Sequence, residues 1–200
     1  METGIIAAFV TASAMIIAAI IKVYSDHLKR KKHKEKQLTK NEAEINQNIQ
    51  NQTEILRNKL NADRVCVYLF HNGGNFLLNN RSMKKFSLYF ESGVAGIERI
   101  ANKEQSRPIS TLAFSIEKMF QDNFFMVPDT KEKGDAFNYQ LQQEGILSYY
   151  NIPIFGIEGY MVGFVSIHYV RNKRELNNEE IEDIRHDCQF LVGYLEMMTK

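Results

Sequence analysis

Tryptophan is absent from this 200-residue chain, proline occurs three times and cysteine twice. So few cysteines exclude a disulfide scaffold. The separation of Cys66 from Cys188, with no C-x-x-C or Cys/His spacing, excludes a zinc-ribbon or thiol-redox motif. A reducing compartment accounts for two free thiols; a Cys66–Cys188 bridge is the other arrangement the sequence allows. The Gly73-Gly74 pair has neither the spacing nor the lysine of a phosphate-binding loop. His71, His168 and His186, with the loop carboxylates Asp63, Asp129 and Asp135, form no nucleophile–base–orienter set and no metal-ligand spacing. Neither catalysis nor a metal or other cofactor is therefore expected. Net charge is lacking too: 25 basic against 24 acidic side chains leave +1, which gives no overall attraction to nucleic acid.

That balance conceals a segregated N-terminus. No residue from Thr3 to Ile21 is charged, and Ile, Ala, Val, Phe and Met dominate. At about 1.5 Å per residue the run reaches roughly 28 Å, against a bilayer core of about 30 Å, so residues 1–24 are expected to form a single transmembrane anchor. A cleaved signal peptide is the competing reading, and Glu2 in place of a basic leader speaks against it. Lys29, Arg30, Lys31, Lys32, Lys34 and Lys36 follow at once. They are expected to lie at the membrane surface beside anionic headgroups, leaving the N-terminus outside and everything after Lys22 in the cytoplasm of an inner, plasma or host cell membrane. No aromatic residues are interleaved among them to stack on bases, so the lipid bilayer is an expected partner and nucleic acid is not.

Residues 25–51 read as a basic juxtamembrane segment and linker helix, and 52–200 as the globular domain. From Gln37 to Leu60 the chain is polar and free of Gly and Pro, with Leu38, Ile45, Ile49, Leu56 and Leu60 near one helical stripe. Two roles fit this stripe. One is a weak homodimer seam through Gln37–Leu60, joined by the C-terminal helix; the other is packing of Ile49 to Leu60 on the domain's own sheet.

The domain is organised around a hairpin. Two apolar runs, Ile146–Phe155 and Tyr160–Val170, flank the turn-forming FGIEG segment. Alternation places Val162, Phe164, Ser166 and His168 on one face of the second run and Met161, Gly163, Val165, Ile167 and Tyr169 on the other, so that strand is central and covered on both sides. Pro153 cannot donate to a ladder and predicts a bend, bulge or edge in the first run. Earlier, Val65–Phe70 is a strand, HNGGNF at His71–Phe76 a hairpin-type turn, and Phe86–Phe90 a second strand. A helix over Thr111–Gln121, capped by Ser106 or Ser110, leads to a short strand at Phe124–Val127 and a short helix at Tyr139–Glu144. The last helix spans about Asn178 to Met198 and buries Ile181, Ile184, Cys188, Leu191, Val192 and Leu195. The order predicts an α+β fold, an antiparallel sheet flanked by helices.

The blocks VPDT at Val127–Thr130, EGILS at Glu144–Ser148, IPIF at Ile152–Phe155, GYMVGFVSIHY at Gly159–Tyr169 and ELNNEEIEDI before the last helix resemble the second half of GAF domains, and ILRNKLNADRVCVYLF resembles their first helix and strand. The resemblance covers about Gln52 to Leu195. It implies a GAF/PAS-like sensory domain that binds a small molecule or a protein partner and is often dimeric through its terminal helices. A ligand pocket in such a domain is expected between the sheet and the Gly93–Asp135 segment, lined by Tyr68, Phe70, His71, Phe90, Phe125 and Tyr150. The chain departs from two groups of the family: it has no match to the Asn-Lys-Phe-Asp-Glu set of cyclic-nucleotide-binding members, and no cysteine in the loop where bilin-binding members attach pigment. A narrower resemblance links Ala62–Phe76 to short proteins of tailed bacteriophages, and the segment from Tyr149 through Leu195 to the soluble domain of T-even phage holins. It gives an alternative function, a phage lysis or virion-associated membrane protein whose domain mediates oligomerisation or regulation.

Overall fold

The computed structural model describes the backbone of residues 2–75, 82–132 and 134–198, and side chains within those ranges from Ile20 onward, apart from residues 30, 33–36, 38, 39, 74, 75, 82, 83 and 198. The chain divides into two units, Met1–Glu44 and Ile45–Lys200. The first belongs to the long helix α1 (Glu2–Lys59), on which Lys29, Lys31 and Lys32 are exposed. Most of the apolar run expected to form an anchor lies outside the described side chains, as do those of Arg30, Lys34 and Lys36. Among the described residues no helix is long and apolar enough to cross a membrane.

The second unit opens with the last turns of α1, where Ile49, Leu56 and Leu60 are buried and Thr53 bonds back to the Ile49 carbonyl (2.8 Å). Ile49 to Leu60 thus pack on the domain's own sheet. Asn61 stops the helix: at φ 47° it is left-handed, its N–H bonds the Asn58 carbonyl, and the Ala62 N–H reaches back to Arg57 at 3.0 Å.

The strands are β1 (Arg64–Asn75), β2 (Ser82–Gly93), β3 (Arg107–Pro108), β4 (Phe125–Val127), β5 (Ser148–Phe155) and β6 (Met161–Tyr169). They form one antiparallel sheet in the order β3-β2-β1-β6-β5-β4. β6 is central, as its two apolar faces require. Its Val165, Ile167 and Tyr169 join Val65, Val67, Ile152 and Ile154 beneath α1 and α4 (Asn178–Met198), while Phe164 faces the other way with Cys66, Tyr68 and Tyr149. β4 pairs β5 only at Tyr149–Asn151, so Pro153 sits where the outer edge is open. Asn177 and Glu180 start α4 by bonding reciprocally to each other's backbone N–H (2.9 and 3.0 Å).

Three sequence expectations are corrected. The HNGGNF segment is not the turn: β1 runs on to Asn75, with His71 opposite Lys85 and Asn72 opposite Lys84. Its two glycines sit in a register shift between Asn72 and Asn75, and the connection moves to residues 76–81, outside the described ones. The helix at 111–121 is preceded by a 3-10 turn, Ile109–Leu112, and its α-helical part, α2 (Ala113–Asp122), begins two residues later than expected, without a capping side chain from Ser106 or Ser110. Ser106 is left-handed at φ 53° and gives its N–H to the Ser87 hydroxyl instead. The short helix α3 covers Ala136–Gln143 rather than 139–144, because Asp135 caps it through the Asn138 N–H (3.0 Å).

Candidate functional site

The face of the sheet turned toward α2 and α3 holds the chemistry. Alternation brings Arg64, Cys66, Tyr68 and Phe70 of β1, Phe164, Ser166 and His168 of β6, and Tyr149 and Asn151 of β5 to this side, with His168 directly between Tyr149 and Arg64 in register. Phe86 and Leu88 of β2 and Phe137 and Leu141 of α3 complete a core cluster with Tyr68, Tyr149 and Phe164. Its polar members are fully buried. Ser166 donates to Asn151 Oδ1 at 2.6 Å, which leaves its oxygen to accept from His168 Nε2 at 2.8 Å. Burial and then the nearby Arg64 charge hold His168 well below the usual imidazole range, so it is neutral. Burial also drives the Cys66 thiol and the Tyr68 and Tyr149 phenols well up, and none of them ionises near neutral pH.

Two ion pairs lie on this face, and the carboxylate of one, Glu91, holds the connecting segment by accepting the Ile100 and Ala101 N–H groups. Arg64 meets Glu91 at 3.1 Å, and Glu104 meets Arg107 at 2.8 Å. Burial raises the Glu104 carboxyl despite its bonds to Arg107 and Gln140. The Arg107 guanidinium lies over the rings of Phe86 (5.6 Å) and Phe137 (5.7 Å).

At one end of this layer a groove of about 580 Å³ opens between the sheet and α2. Phe70, Ile109, Ile116, Phe120 and Tyr160 wall it, and His71 and Lys84 stand at its polar side. His71 Nε2 is 2.9 Å from the Ser87 hydroxyl, and Lys84 donates to Asn72 Oδ1 at 2.9 Å. The volume suits a small molecule, and an apolar wall with a few polar groups at one side is the usual make-up of a ligand pocket.

Of the six residues expected to line a pocket, Phe70 and His71 line this groove and Tyr68 lies behind it in the aromatic cluster. Phe125 packs on the same cluster beside Tyr149 (6.1 Å) but lines a separate surface hollow with Phe114 and Pro128. Phe90 and Tyr150 are on the opposite face, among the residues packed under α1 and α4, where the Tyr150 hydroxyl bonds the Arg174 carbonyl and the Leu176 N–H, each at 2.9 Å. Ile116, Phe120 and Tyr160 were not anticipated, although their spacing in the sequence gives no common motif by which to find them.

The remaining candidates for chemistry are dispersed. Cys66 and Cys188 are free, buried and on opposite faces of the sheet, which resolves the question of a bridge between them. His186 lies on α4 against Phe190. Among the described residues no group of three or more His, Cys, Asp or Glu side chains could hold a metal ion.

Comparison with known proteins matches residues 44–192 to the GAF domain family. The fold is similar to the phycocyanobilin-bound GAF domain of a cyanobacterial phytochrome (17% identity, TM-score 0.61, covering 82% of this chain and 94% of that one). It is likewise similar to the GAF region of a candidate membrane protein from Geobacter sulfurreducens (17%, 0.58, 80% and 99%). A third similar structure is a GAF domain from Synechocystis in its photoproduct state (16%, 0.59, 78% and 96%). At these identities the likeness concerns the fold. No curated protein matches the chain, and the resemblance to phage proteins gains no support from these comparisons.

Proposed function

The chain belongs to the GAF domain family, and on that premise we propose that it is a non-catalytic signalling module that senses a small ligand or a protein partner. The observation that carries this reading is the groove between the sheet and α2, with its wall of Phe70, Ile109, Ile116, Phe120 and Tyr160 and its polar side of His71 and Lys84. A change in what the groove holds reaches α2 and the β5–β6 hairpin directly, since both line it.

The module is read as tethered through residues 1–24 to an inner membrane and facing the cytoplasm. The uncharged run Thr3–Ile21, the basic cluster behind it and the likeness to the GAF region of a candidate membrane protein support this. A homodimer through α1 and α4 is part of the proposal. Ile49, Leu56 and Leu60 are spent on the core, so the seam must use outward residues, for which Ile55, Phe190 and Met197, each more than half exposed, are suited. A holin-like lysis role is not adopted, since the comparisons above give it no support.

Thermal-shift screening of the full chain against small aromatic and anionic compounds tests the reading, with Ile116→Trp as the variant that fills the groove. Compounds that stabilise the wild type and lose their effect in Ile116→Trp are the expected result. Stabilisation that survives the substitution would place sensing elsewhere.

A further inference from the structure

The groove under α2 is polarised along its length. The last pair that β1 makes with β6 is Leu69–Gly163, and the groove opens beyond it, where Phe70 and His71 of β1 and Met161 and Val162 of β6 are no longer paired. From Lys84 on β2, across β1, to the start of β6 it crosses two strand spacings, at least about 10 Å. Its polar side chains stand together at the β2 end. At the β6 end Tyr160 and Phe120, each more than half exposed, leave aromatic surface uncovered, with Phe120 braced on Phe155 at 5.8 Å.

The polar groups differ in what they have left to bind. His71 Nδ1, 3.3 Å from the Asn72 carbonyl, can only donate there, so Nε2 of the neutral ring accepts from the Ser87 hydroxyl (2.9 Å), whose oxygen takes the Ser106 N–H (2.8 Å). Both ring nitrogens are thereby committed. Lys84 is not: one of its three N–H donors meets Asn72 Oδ1 (2.9 Å), a neutral acceptor. Lys59, Lys103 and Lys173 each sit against a carboxylate. No acidic side chain lines the groove, and among the described residues Lys84 makes no ion pair. Its charge is uncompensated.

A neighbouring hollow sharpens the contrast. It has about 360 Å³, lies on the α4 side of the same strand ends and shares Phe70 and Val162 with the groove, but its one charged lining residue is Glu196. Apolar walls are common to the two, and the sign of the charge separates them.

We propose that the groove takes an amphiphilic anion. Its apolar body lies on Phe70, Ile116, Phe120 and Tyr160, and its carboxylate or phosphate meets Lys84 at the β2 end. The assignment deepens the sensory reading above, on which it rests, by naming the ligand class. Acyl carboxylates and lipid phosphates share this chemistry. A cationic amphiphile would meet the uncompensated lysine, and an uncharged one would use the wall alone.

Full-length wild type, Lys84→Gln and Ile116→Trp, each titrated with octanoate, octyl phosphate, octanol, octyltrimethylammonium and butyrate below micelle-forming concentrations and followed by melting temperature, test this. In the wild type octanoate or octyl phosphate should stabilise at a concentration at least about tenfold below that of octanol, the cation or butyrate, since a hydrogen bond to a charged group is among the stronger ones. Octanoate acting first identifies acyl carboxylates as the source, and octyl phosphate acting first identifies lipid phosphates. Lys84→Gln, at an exposed position that leaves the walls intact, should bring both anions back to the level of octanol, and Ile116→Trp should abolish every response. Octanol or the cation equal to the anions in the wild type, or an anion preference that survives Lys84→Gln, overturns the charge assignment. Butyrate equal to octanoate overturns the apolar body. Should Ile116→Trp fail to fold, Met161→Trp, on the strand side of the groove, carries the same comparison. Where no octyl compound acts but other compounds stabilise the wild type and lose their effect in Ile116→Trp, the amphiphile class falls and the sensory reading stands.

Discussion

Arg64 and Glu91 face each other from neighbouring strands at 3.1 Å, with side chains only 2% and 3% exposed. The same carboxylate accepts the N–H groups of Ile100 (3.0 Å) and Ala101 (3.2 Å), and Arg64 also bonds the Glu98 carbonyl. The pair therefore joins the segment after β2 to the face of the sheet that holds the candidate site. Removing one member of a buried pair leaves the other charge uncompensated, at a cost of about 3–5 kcal/mol. Glu91→Ala is expected to fall in that range in urea unfolding. Arg64→Met with Glu91→Leu should cost clearly less than the two single changes added together, the remainder being the two amides that lose their acceptor.

Gly163 lies in the middle of β6, opposite Leu69. A Cβ there would collide with the Tyr68 carbonyl and stand 3.1 Å from the Leu69 Cα, both backbone atoms that cannot rotate away. Gly163→Ala should therefore destabilise by about 1–3 kcal/mol or more, as overpacking does, although alanine is a small residue. A melting temperature equal to that of the wild type would contradict the close approach of β1 and β6.

His168 is neutral in the folded protein, with burial first and Arg64 second lowering its pKa. In the unfolded chain it takes up a proton near pH 6.5. The unfolded state then binds more protons, so stability falls as pH drops below about 6.5, by up to roughly 1.4 kcal/mol per pH unit, until the folded-state value is reached. His168→Gln should flatten the dependence of stability on pH between about 7 and 5 relative to the wild type. An unchanged slope would assign it to other groups.

Asp63 behaves in the opposite range. Burial raises its carboxyl, but the backbone N–H groups of Arg171 (2.9 Å) and Val170 (2.7 Å), with the Arg171 side chain, outweigh this and hold it below the usual carboxylate range. Its contribution is present above the ordinary carboxylate pKa and is lost as pH falls through the lower folded value. Asp63→Asn should accordingly remove part of the loss of stability below about pH 4.

Much of the fold was legible because its signals are local. The alternation of Val165, Ile167 and Tyr169 against Phe164, Ser166 and His168 gave β6 both its central place and the facing of each side chain. The site was less legible because its facing depends on irregularities. Val67 pairs Phe90 and Tyr68 pairs Leu88, so Tyr89 is an extra residue in β2. That bulge turns Phe90 away from Phe86 and Leu88 although all three share a parity in sequence. Tyr150 was named where its neighbour Tyr149 faces the site, a one-residue error that reverses the face of the sheet. Phe137 escaped notice because the helix that carries it is short and is set by Asp135, whose second carboxylate oxygen accepts from Ser115 of α2. That contact is between residues twenty apart in sequence, and no local pattern announces it.

The groove beneath α2 is the proposed sensing site. Amide NMR spectra of the full chain, recorded while the small aromatic and anionic compounds of the thermal-shift screen are added one at a time, are the decisive measurement. Shifts are expected to concentrate at Phe70, His71, Ile109, Ile116 and Phe120 and to vanish in Ile116→Trp. Shifts confined to the exposed faces of α1 and α4, or unchanged in Ile116→Trp, would contradict it.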